Sequence, residues 1–336
     1  MAFGHAKHAR KLRSSEVTRG LVQFVARFIV WAFTEQVNEK FRNRRDTGTE
    51  YIQKSLEGVA MGKTFKKVAG VCIGTVAAWT FAVKPRIWNK PDISEIRRYD
   101  YARRGYRGED GRIPENSMAA IRAAIDHGYG LNLDVRLTRD GVPVVFADSR
   151  LERMTGIEGS VENSVLDELK ELKLGDSEEE IPTLEEALHE IDGQVPVLLN
   201  IHTEEDNYNA ISDQVCEVVD AYEGVFAIES IDVRVLRWYR KQRGEYIRGQ
   251  ISDFNHRSGS SFMNLLFDIL TSCLLMNFLT APDYISTNID SRNNPSIWLC
   301  RLVYRVPRMD RTVRSLEDYE LVKTDGSTVV FEDIQP

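Results

Sequence analysis

Cysteine, excess positive charge and long apolar runs are all scarce in this sequence. The four cysteines lie far apart and form no CxxC pair, which argues against a zinc site or a dense disulfide framework and is typical of small buried residues. The net charge of −7 at pH 7 disfavours nucleic acid as a main partner. No segment reaches the roughly 20 consecutive apolar residues of an ideal membrane span.

The N-terminal region, residues 1–67, is the basic part of the chain. It carries 14 Lys and Arg against 6 Asp and Glu, so the rest of the chain is distinctly acidic. Apolar residues between Leu21 and Phe33 recur at helical spacing, which predicts an amphipathic helix. Such a helix could lie in a membrane interface or pack as an ordinary helix against a partner.

An uncharged run of 16 residues, from Val68 to Val83, follows this region and has lysines on both sides. The run is shorter than a full span, but flanking lysines that snorkel can extend it. It also lies too far from residue 1 for a secretory signal. We therefore predict a single transmembrane helix over residues 68–84 and a cell-membrane location, with a buried soluble helix as the alternative. The side of the membrane on which the rest of the chain lies stays open.

From residue 98 onward, short β-type runs alternate with helical patterns. The spacing Thr183 to Glu186 is that of a capping box, which opens one of these helices. Eight strands with intervening helices predict an α/β fold, a (β/α)8 TIM barrel over residues 98–336. The predicted strands begin at Tyr101, Leu131, Val195, Val225, Ile247, Tyr284, Thr312 and Val329.

One connection departs from this alternation. The segment between Asp134 and Asp148 has room for a tight turn but not for a crossover helix, so its two strands must be antiparallel. A turn centred on Asp140 and Gly141 predicts Asp134 opposite Ala147. Both residues then lie at the mouth of the barrel, where barrel enzymes hold their catalytic groups.

Five short phrases occur in one order along this region. They are Tyr-Ala-Arg-Arg-Gly at 101–105, Pro-Glu-Asn-Ser at 114–117, Leu-Asn-Leu-Asp-Val at 131–135, Val-Val-Phe-Ala-Asp at 144–148 and Val-Leu-Leu-Asn-Ile-His at 197–202. In this order they resemble the glycerophosphodiester phosphodiesterase family, in its Gram-positive membrane-anchored type. The resemblance covers nearly all of residues 98–336. It implies the same TIM barrel, with residues 150–182 as a small insertion over the mouth.

The resemblance also implies that much of the family's chemistry is replaced. The family uses Mg or Ca held by three carboxylates, two histidines for proton transfer, and basic residues for the phosphate. The histidine positions hold Arg103 and Ala147, the carboxylate positions hold Asn132, Asp134 and Asn200, and the phosphate-binding lysine position holds His202. Arg104 and Glu115 persist, while Arg311 replaces a substrate-contacting tryptophan.

These replacements change what the site can do. One carboxylate and two amides hold a hard divalent cation poorly, and arginine cannot act as a base near neutral pH. We therefore expect no metal and no other cofactor. Phosphate or another ligand could instead bind to Arg103, Arg104, Glu115 and His202, although a lone histidine such as His202 is more often structural.

Two classes of function follow. The first is a membrane-tethered pseudoenzyme, a catalytically inactive binding or assembly module for a phospholipid head group, a polyglycerol-phosphate polymer or a protein partner. The second is an active phosphoric diester hydrolase with a rearranged site, which would release glycerol 3-phosphate without a metal through His202, Asp148 and Glu115.

Overall fold

The computed structural model of the chain describes residues 74–108, 111–252, 270–292 and 294–336. The predicted N-terminal region, residues 1–67, and the first six residues of the predicted span lie outside the described residues. The remainder of that span is helical over residues 74–82. Within the described ranges, no helix has the length and apolar character needed to cross a membrane.

The second of two compact units, Ala82–Pro336, contains one nine-stranded sheet. Its order is β1-β9-β8-β7-β6-β5-β4-β2-β3, and β1 also pairs with β2. Every pairing except β2 with β3 is parallel, so eight strands close into a barrel and β3 lies outside it. The predicted TIM barrel is thereby confirmed. The strands are β1 Tyr101–Arg103, β2 Gly130–Leu137, β3 Pro143–Val145, β4 Val197–Ile201, β5 Phe226–Ser230, β6 Arg248–Ser252, β7 Tyr284–Asn288, β8 Arg308–Val313 and β9 Thr328–Phe331.

Helices connect most of the barrel strands, and side chains cap the first turns of several of them. Thr183 and Glu186 form the predicted capping box, and Ser117 and Asp232 accept from backbone amides at two other helix starts. These caps satisfy amides that have no partner inside the helix. The helices are α1 Ser94–Arg98, α2 Met118–Asp126, α3 Glu152–Thr155, α4 Leu166–Lys170, α5 Leu184–Ile191, α6 Tyr208–Val219, α7 Val233–Gln242, α8 Asn277–Thr280, α9 Pro295–Leu299 and α10 Leu316–Thr324.

The β2–β3 hairpin is antiparallel, as its short connection requires, but its register differs from the prediction by one residue. The amide of Phe146, not that of Ala147, donates to the carbonyl of Asp134. The prediction was wrong because the loop contains three residues, 139–141, closed by the amide of Thr138 donating to the carbonyl of Val142. Gly141 adopts a φ of +85° at the end of this loop, a conformation that glycine takes at little cost.

The barrel interior is closed below the mouth by a small apolar cluster that includes Tyr101 and Tyr284, both fully buried. Each ring lies against a glycine of a neighbouring strand. A Cβ atom on Gly130 would overlap the Tyr101 ring, and one on Gly249 would overlap the Tyr284 ring. These two glycines therefore provide the space in which the tyrosines fill the barrel.

We predict that Gly249→Ala destabilises the barrel by about 1–3 kcal/mol, because the added methyl group forces Tyr284 out of a packed interior. Gly244→Ala is the matched control. A Cβ there meets its nearest atom at an ordinary 3.6 Å, so the expected change is within about 0.5 kcal/mol. Urea unfolding measures both, and equal effects of the two substitutions would contradict the packing account.

Candidate functional site

The carboxyl ends of the barrel strands bring the predicted site residues together. Asp134 on β2 is in register with Asn200 on β4, and Asn200 is in register with Glu229 on β5. On the other side, Arg103 on β1 is in register with Asn132 on β2. Parallel strands end at one edge of the sheet, so residues distant in sequence form one polar cluster at the mouth.

Asp134 is the buried centre of this cluster. Its Oδ1 accepts from Asn200 Nδ2 at 2.7 Å and lies 2.7 Å from His202 Nε2. Its Oδ2 accepts from Arg104 Nε at 2.8 Å and from Asn116 Nδ2 at 3.5 Å. Both oxygens of this carboxylate are therefore occupied by protein groups.

The charges around Asp134 outweigh the cost of burying it. Burial alone would raise the pKa of a carboxyl group, but His202, Arg104 and Arg103 hold the pKa of Asp134 well below its usual range. Asp134 in turn raises the pKa of Arg104 against the opposing effect of burial. The carboxylate is therefore ionised at neutral pH and acts as a fixed counter-ion.

Arg104 extends the network from Asp134 to Glu115. Its Nη1 donates to Glu115 Oε1 at 2.9 Å, and its backbone has a φ of +61°, an uncommon conformation for a residue with a side chain. Arg153 approaches Glu115 from the insertion and also donates to Asp148. One guanidinium group thus ties the insertion to two carboxylates at the mouth.

A second network is buried between β2, β5 and β8. Asn132 donates through Nδ2 to Glu229 Oε2 at 3.2 Å. Arg311 donates through Nη2 to the same Glu229 oxygen at 2.9 Å and to Asn132 Oδ1 at 3.3 Å. Arg311 thus supplies the positive charge that compensates the fully buried Glu229.

Arg103 lies between these networks and donates to Glu332 Oε1 at 3.1 Å. Arg314 also pairs with Glu332. Burial lowers the pKa of Arg103 from its usual range, and the neighbouring cations Arg104 and Arg311 act in the same direction. An arginine remains charged at neutral pH even so.

These side chains border an open cavity of about 690 Å³ at the mouth. Ala147 contributes only a methyl group to its wall, and the carbonyl of Ala147 accepts from Arg136 Nε at 3.0 Å. Basic residues dominate the rest of the wall over the acids Asp148 and Glu152. The basic residues that line it are Arg103, Arg104, Arg136, Arg150, Arg153, Arg311 and His202.

The residues at the mouth do not fit the divalent cation that the resemblance implies. Such a cation needs several free anionic oxygens, whereas Asn132 and Asn200 present amides and both oxygens of Asp134 already accept hydrogen bonds. Nowhere in the described part of the chain do three His, Cys, Asp or Glu side chains form a group able to hold a metal.

All eight predicted site residues lie at the mouth, but several of their partners were not predicted from the sequence. Arg153, Glu229 and Glu332 were not considered because nothing near them in the sequence marks them. Arg136 had a usable signal, since it lies two positions after Asp134 on the same strand and so shares its face.

We predict that Asp134→Asn lowers stability by about 1–3 kcal/mol near pH 7, because the half-buried Arg104 loses one of its two carboxylate partners and keeps only Glu115. The pKa of Asp134 is depressed in the folded state, so its contribution is present above the unfolded value of about 3.9 and is lost as the pH falls further. The difference between wild type and variant should therefore shrink in acid.

Urea unfolding at a series of pH values measures this difference. Asp148→Asn is the control, because its pairing with Arg153 is partly exposed and such pairs contribute about 0–1 kcal/mol. A loss for Asp134→Asn that is small near neutrality, or that persists unchanged in acid, would contradict the role given to Asp134.

Comparison with known proteins identifies the family. Residues 107–246 match the model of the glycerophosphoryl diester phosphodiesterase family. A glycerophosphodiester phosphodiesterase of Bacillus altitudinis is 30% identical over 202 residues, which are 57% of this chain and 74% of the relative. One of Caldanaerobacter subterraneus is 41% identical over 103 residues, 29% of this chain and 42% of the relative.

Solved structures agree on the fold. A phosphodiesterase of Oleispira antarctica, in complex with the product sn-glycerol 3-phosphate, matches with a TM-score of 0.57 at 22% identity, over 69% of this chain and 92% of its own. A glycerophosphodiester phosphodiesterase of Agrobacterium tumefaciens matches with a TM-score of 0.54 at 19% identity, over 69% and 95%. The fold and the relatives together show that this chain belongs to the glycerophosphodiester phosphodiesterase family.

Proposed function

We propose that this protein is a binding module built on a phosphodiesterase barrel, which holds a phosphate-bearing ligand at the mouth and does not hydrolyse it. The observation that carries the proposal is the environment of Asp134. The one carboxylate left at the three family positions is enclosed by Arg104, Asn200 and His202. It has no free oxygen to offer to a metal.

The side chains that the resemblance implies for proton transfer are also replaced in this chain. The two positions that carry histidine in the family hold a guanidinium group, Arg103, and a methyl group, Ala147. Neither can exchange a proton with a leaving alkoxide near neutral pH, and loss of one general acid or base already costs about 10²–10⁴-fold in rate.

The cavity wall favours an anionic ligand. In the described part of the chain, the Arg103 guanidinium donates to Glu332 alone, and a guanidinium has five N–H donors. Arg311 also lines the cavity, and arginine pairs well with the several oxygens of a phosphate. A phospholipid head group and a polyglycerol-phosphate polymer both carry such a phosphate, whereas a protein partner would have to offer carboxylates in its place.

Hydrolysis without a metal is the second candidate, and the contact between His202 and Asp134 is what favours it. A histidine oriented by a buried carboxylate is a common general base. The other two residues of that scheme, Asp148 and Glu115, are both held by Arg153. This pairing makes them poor partners for His202 in proton transfer.

Membrane tethering through residues 68–84 is the remaining part of the proposal. The uncharged run supports it, as does the helix over residues 74–82, on which Val76 and Phe81 are exposed. We expect the full chain to sediment with membranes and to need detergent for release. Recovery in the soluble fraction without detergent would contradict the tether.

We predict that sn-glycerol 3-phosphate binds at the mouth and that Arg103→Ala weakens binding about 10–100-fold, the equivalent of one charge-assisted hydrogen bond. Glu332 keeps Arg314 as a partner in this variant, so the fold should tolerate the change. Titration calorimetry measures the affinity. Arg122→Ala, which removes an exposed arginine paired with Glu190, is the control, and equal affinities in all three proteins would contradict the assignment.

We also predict that the wild type releases no glycerol 3-phosphate from glycerophosphodiesters, with or without Mg²⁺ or Ca²⁺. Restoring single residues should not rescue it, because catalytic groups act as a unit. Recovery of activity should need at least four substitutions made together. Asn132→Glu by itself, for example, places a second carboxylate against Glu229, to which Asn132 now donates a hydrogen bond. The four substitutions are Arg103→His, Ala147→His, Asn132→Glu and Asn200→Glu.

An enzymatic assay of product release decides between the two candidates. Turnover of roughly 1 s⁻¹ or more by the wild type would contradict the binding-module proposal. Turnover that needs no metal and is lost in His202→Asn would support the second candidate.

A further inference from the structure

An apolar surface is exposed on the segment that connects β7 to β8, on the outside of the barrel. Trp298 is 63% exposed, Leu302 is 61% exposed and Val303 is 50% exposed. The opposite side of the same segment is buried through Ile297 and Cys300. Three large exposed apolar side chains on one side of such a segment are typical of a surface that meets a partner or a membrane.

The polypeptide enters the barrel unit beside this surface. The carbonyl of Val83 accepts from Cys300 Sγ at 3.4 Å and from Asn277 Nδ2 at 3.4 Å. Val83 is fully buried there. The residue that ends the uncharged run of the sequence is therefore bonded to the buried side of the same segment whose other side exposes Trp298.

A second exposed tryptophan follows a few residues later. Trp88 is 73% exposed, and Lys84 Nζ lies 4.9 Å from the centre of its ring. Tryptophan and lysine are the residue types that concentrate where a protein meets the lipid head groups. Residues 83–88, here called the entry segment, thus carry a tryptophan and a lysine suited to an interfacial anchor, and both follow the uncharged run.

Basic residues accompany the apolar ones. Arg301 and Arg305 are exposed on the segment after α9. The carbonyl of Asp325 accepts from Arg301, but the carboxylate of Asp325 is already paired with Arg292 and Arg308. The charge that this face offers to a partner is therefore positive, which suits an anionic lipid surface.

The entry segment lies at the end of the barrel opposite to the mouth. The amide of Arg86 donates to the carbonyl of Pro282, and Arg86 Nη2 donates to the carbonyl of Gly244. Pro282 and Gly244 shortly precede β7 and β6, so Arg86 contacts the amino ends of these strands, whereas the mouth lies at the carboxyl ends of the parallel strands.

We propose that this entry surface, made of Trp88, Trp298, Leu302 and Val303 with Lys84, Arg301 and Arg305 around them, lies in the head-group region of an anionic bilayer. The barrel then stands on the membrane with its mouth directed away from the lipid. The inference rests on the proposed tether, which delivers Val83 to the bilayer. It further implies that the ligand of the mouth arrives from the aqueous phase and not from the bilayer beneath the barrel.

Tryptophan quenching in the full chain tests this surface. The protein is reconstituted into vesicles of phosphatidylcholine and phosphatidylglycerol, with and without brominated acyl chains, which quench indole rings that contact lipid. The contribution of each tryptophan is obtained from Trp→Phe variants. Trp298→Phe should remove part of the quenched emission. Trp238→Phe is the matched control, because Trp238 packs against the protein core and its loss should leave the quenched part unchanged.

Trp79 lies within the predicted span, so its quenching reports on the tether, whereas the quenching of Trp298 reports on the entry surface. Quenching of both Trp79 and Trp298 supports the inference, and quenching of Trp298 without Trp79 supports the surface while contradicting the tether. Quenching of Trp79 without Trp298 overturns the surface and leaves the tether standing. Absence of quenching at both positions overturns the two together, and a dimer in which Trp298 is shielded from lipid also overturns the inference.

The role of the positive charges on Arg301 and Arg305 is tested separately, by charge reversal. In the double variant Arg301→Glu/Arg305→Glu, the quenching of Trp298 should fall, because each basic residue near an anionic surface favours contact by about fivefold. The quenching of Trp79 should not change. A fall that occurs equally in vesicles of phosphatidylcholine alone would contradict the role of charge and with it the anionic bilayer.

Discussion

The ion pair between Arg104 and Asp134 constrains the rest of the mouth. A buried carboxylate is costly unless charges and hydrogen bonds compensate it, and here Arg104 does so from the end of β1, and Asn200 and His202 from the end of β4. The same contacts leave no anionic oxygen for a metal. Protein groups alone therefore balance the charge of Asp134.

The other buried acids at the mouth are likewise compensated by protein cations. Glu229 is paired with Arg311, and Glu332 with Arg103. The resemblance implies a histidine at the position of Arg103 and a tryptophan at that of Arg311. Two neutral side chains have thus become fixed cations, while two of the three metal-ligand positions have become amides. We infer that arginine side chains here take over the charge balance that a metal ion provides in the family.

The sequence was sufficient for the barrel because eight β-type runs with helices between them leave few alternative arrangements. It was also sufficient to indicate that the residues of the recognisable phrases lie together at the mouth. It was not sufficient for the hairpin register, since a two-residue and a three-residue turn around Gly141 differ little in composition. Nor could it predict that Arg103 pairs with Glu332, because the two residues are 229 positions apart and only the closure of the barrel joins them.

The central claim is that protein cations have replaced the metal ion, and calorimetric titration of the full chain with Ca²⁺ or Mg²⁺ tests it most directly. The account predicts no stoichiometric binding at cation concentrations up to about 1 mM, the range of the weaker protein calcium sites. One site per chain that binds more tightly than this, and that disappears in Asp134→Asn, would contradict the account.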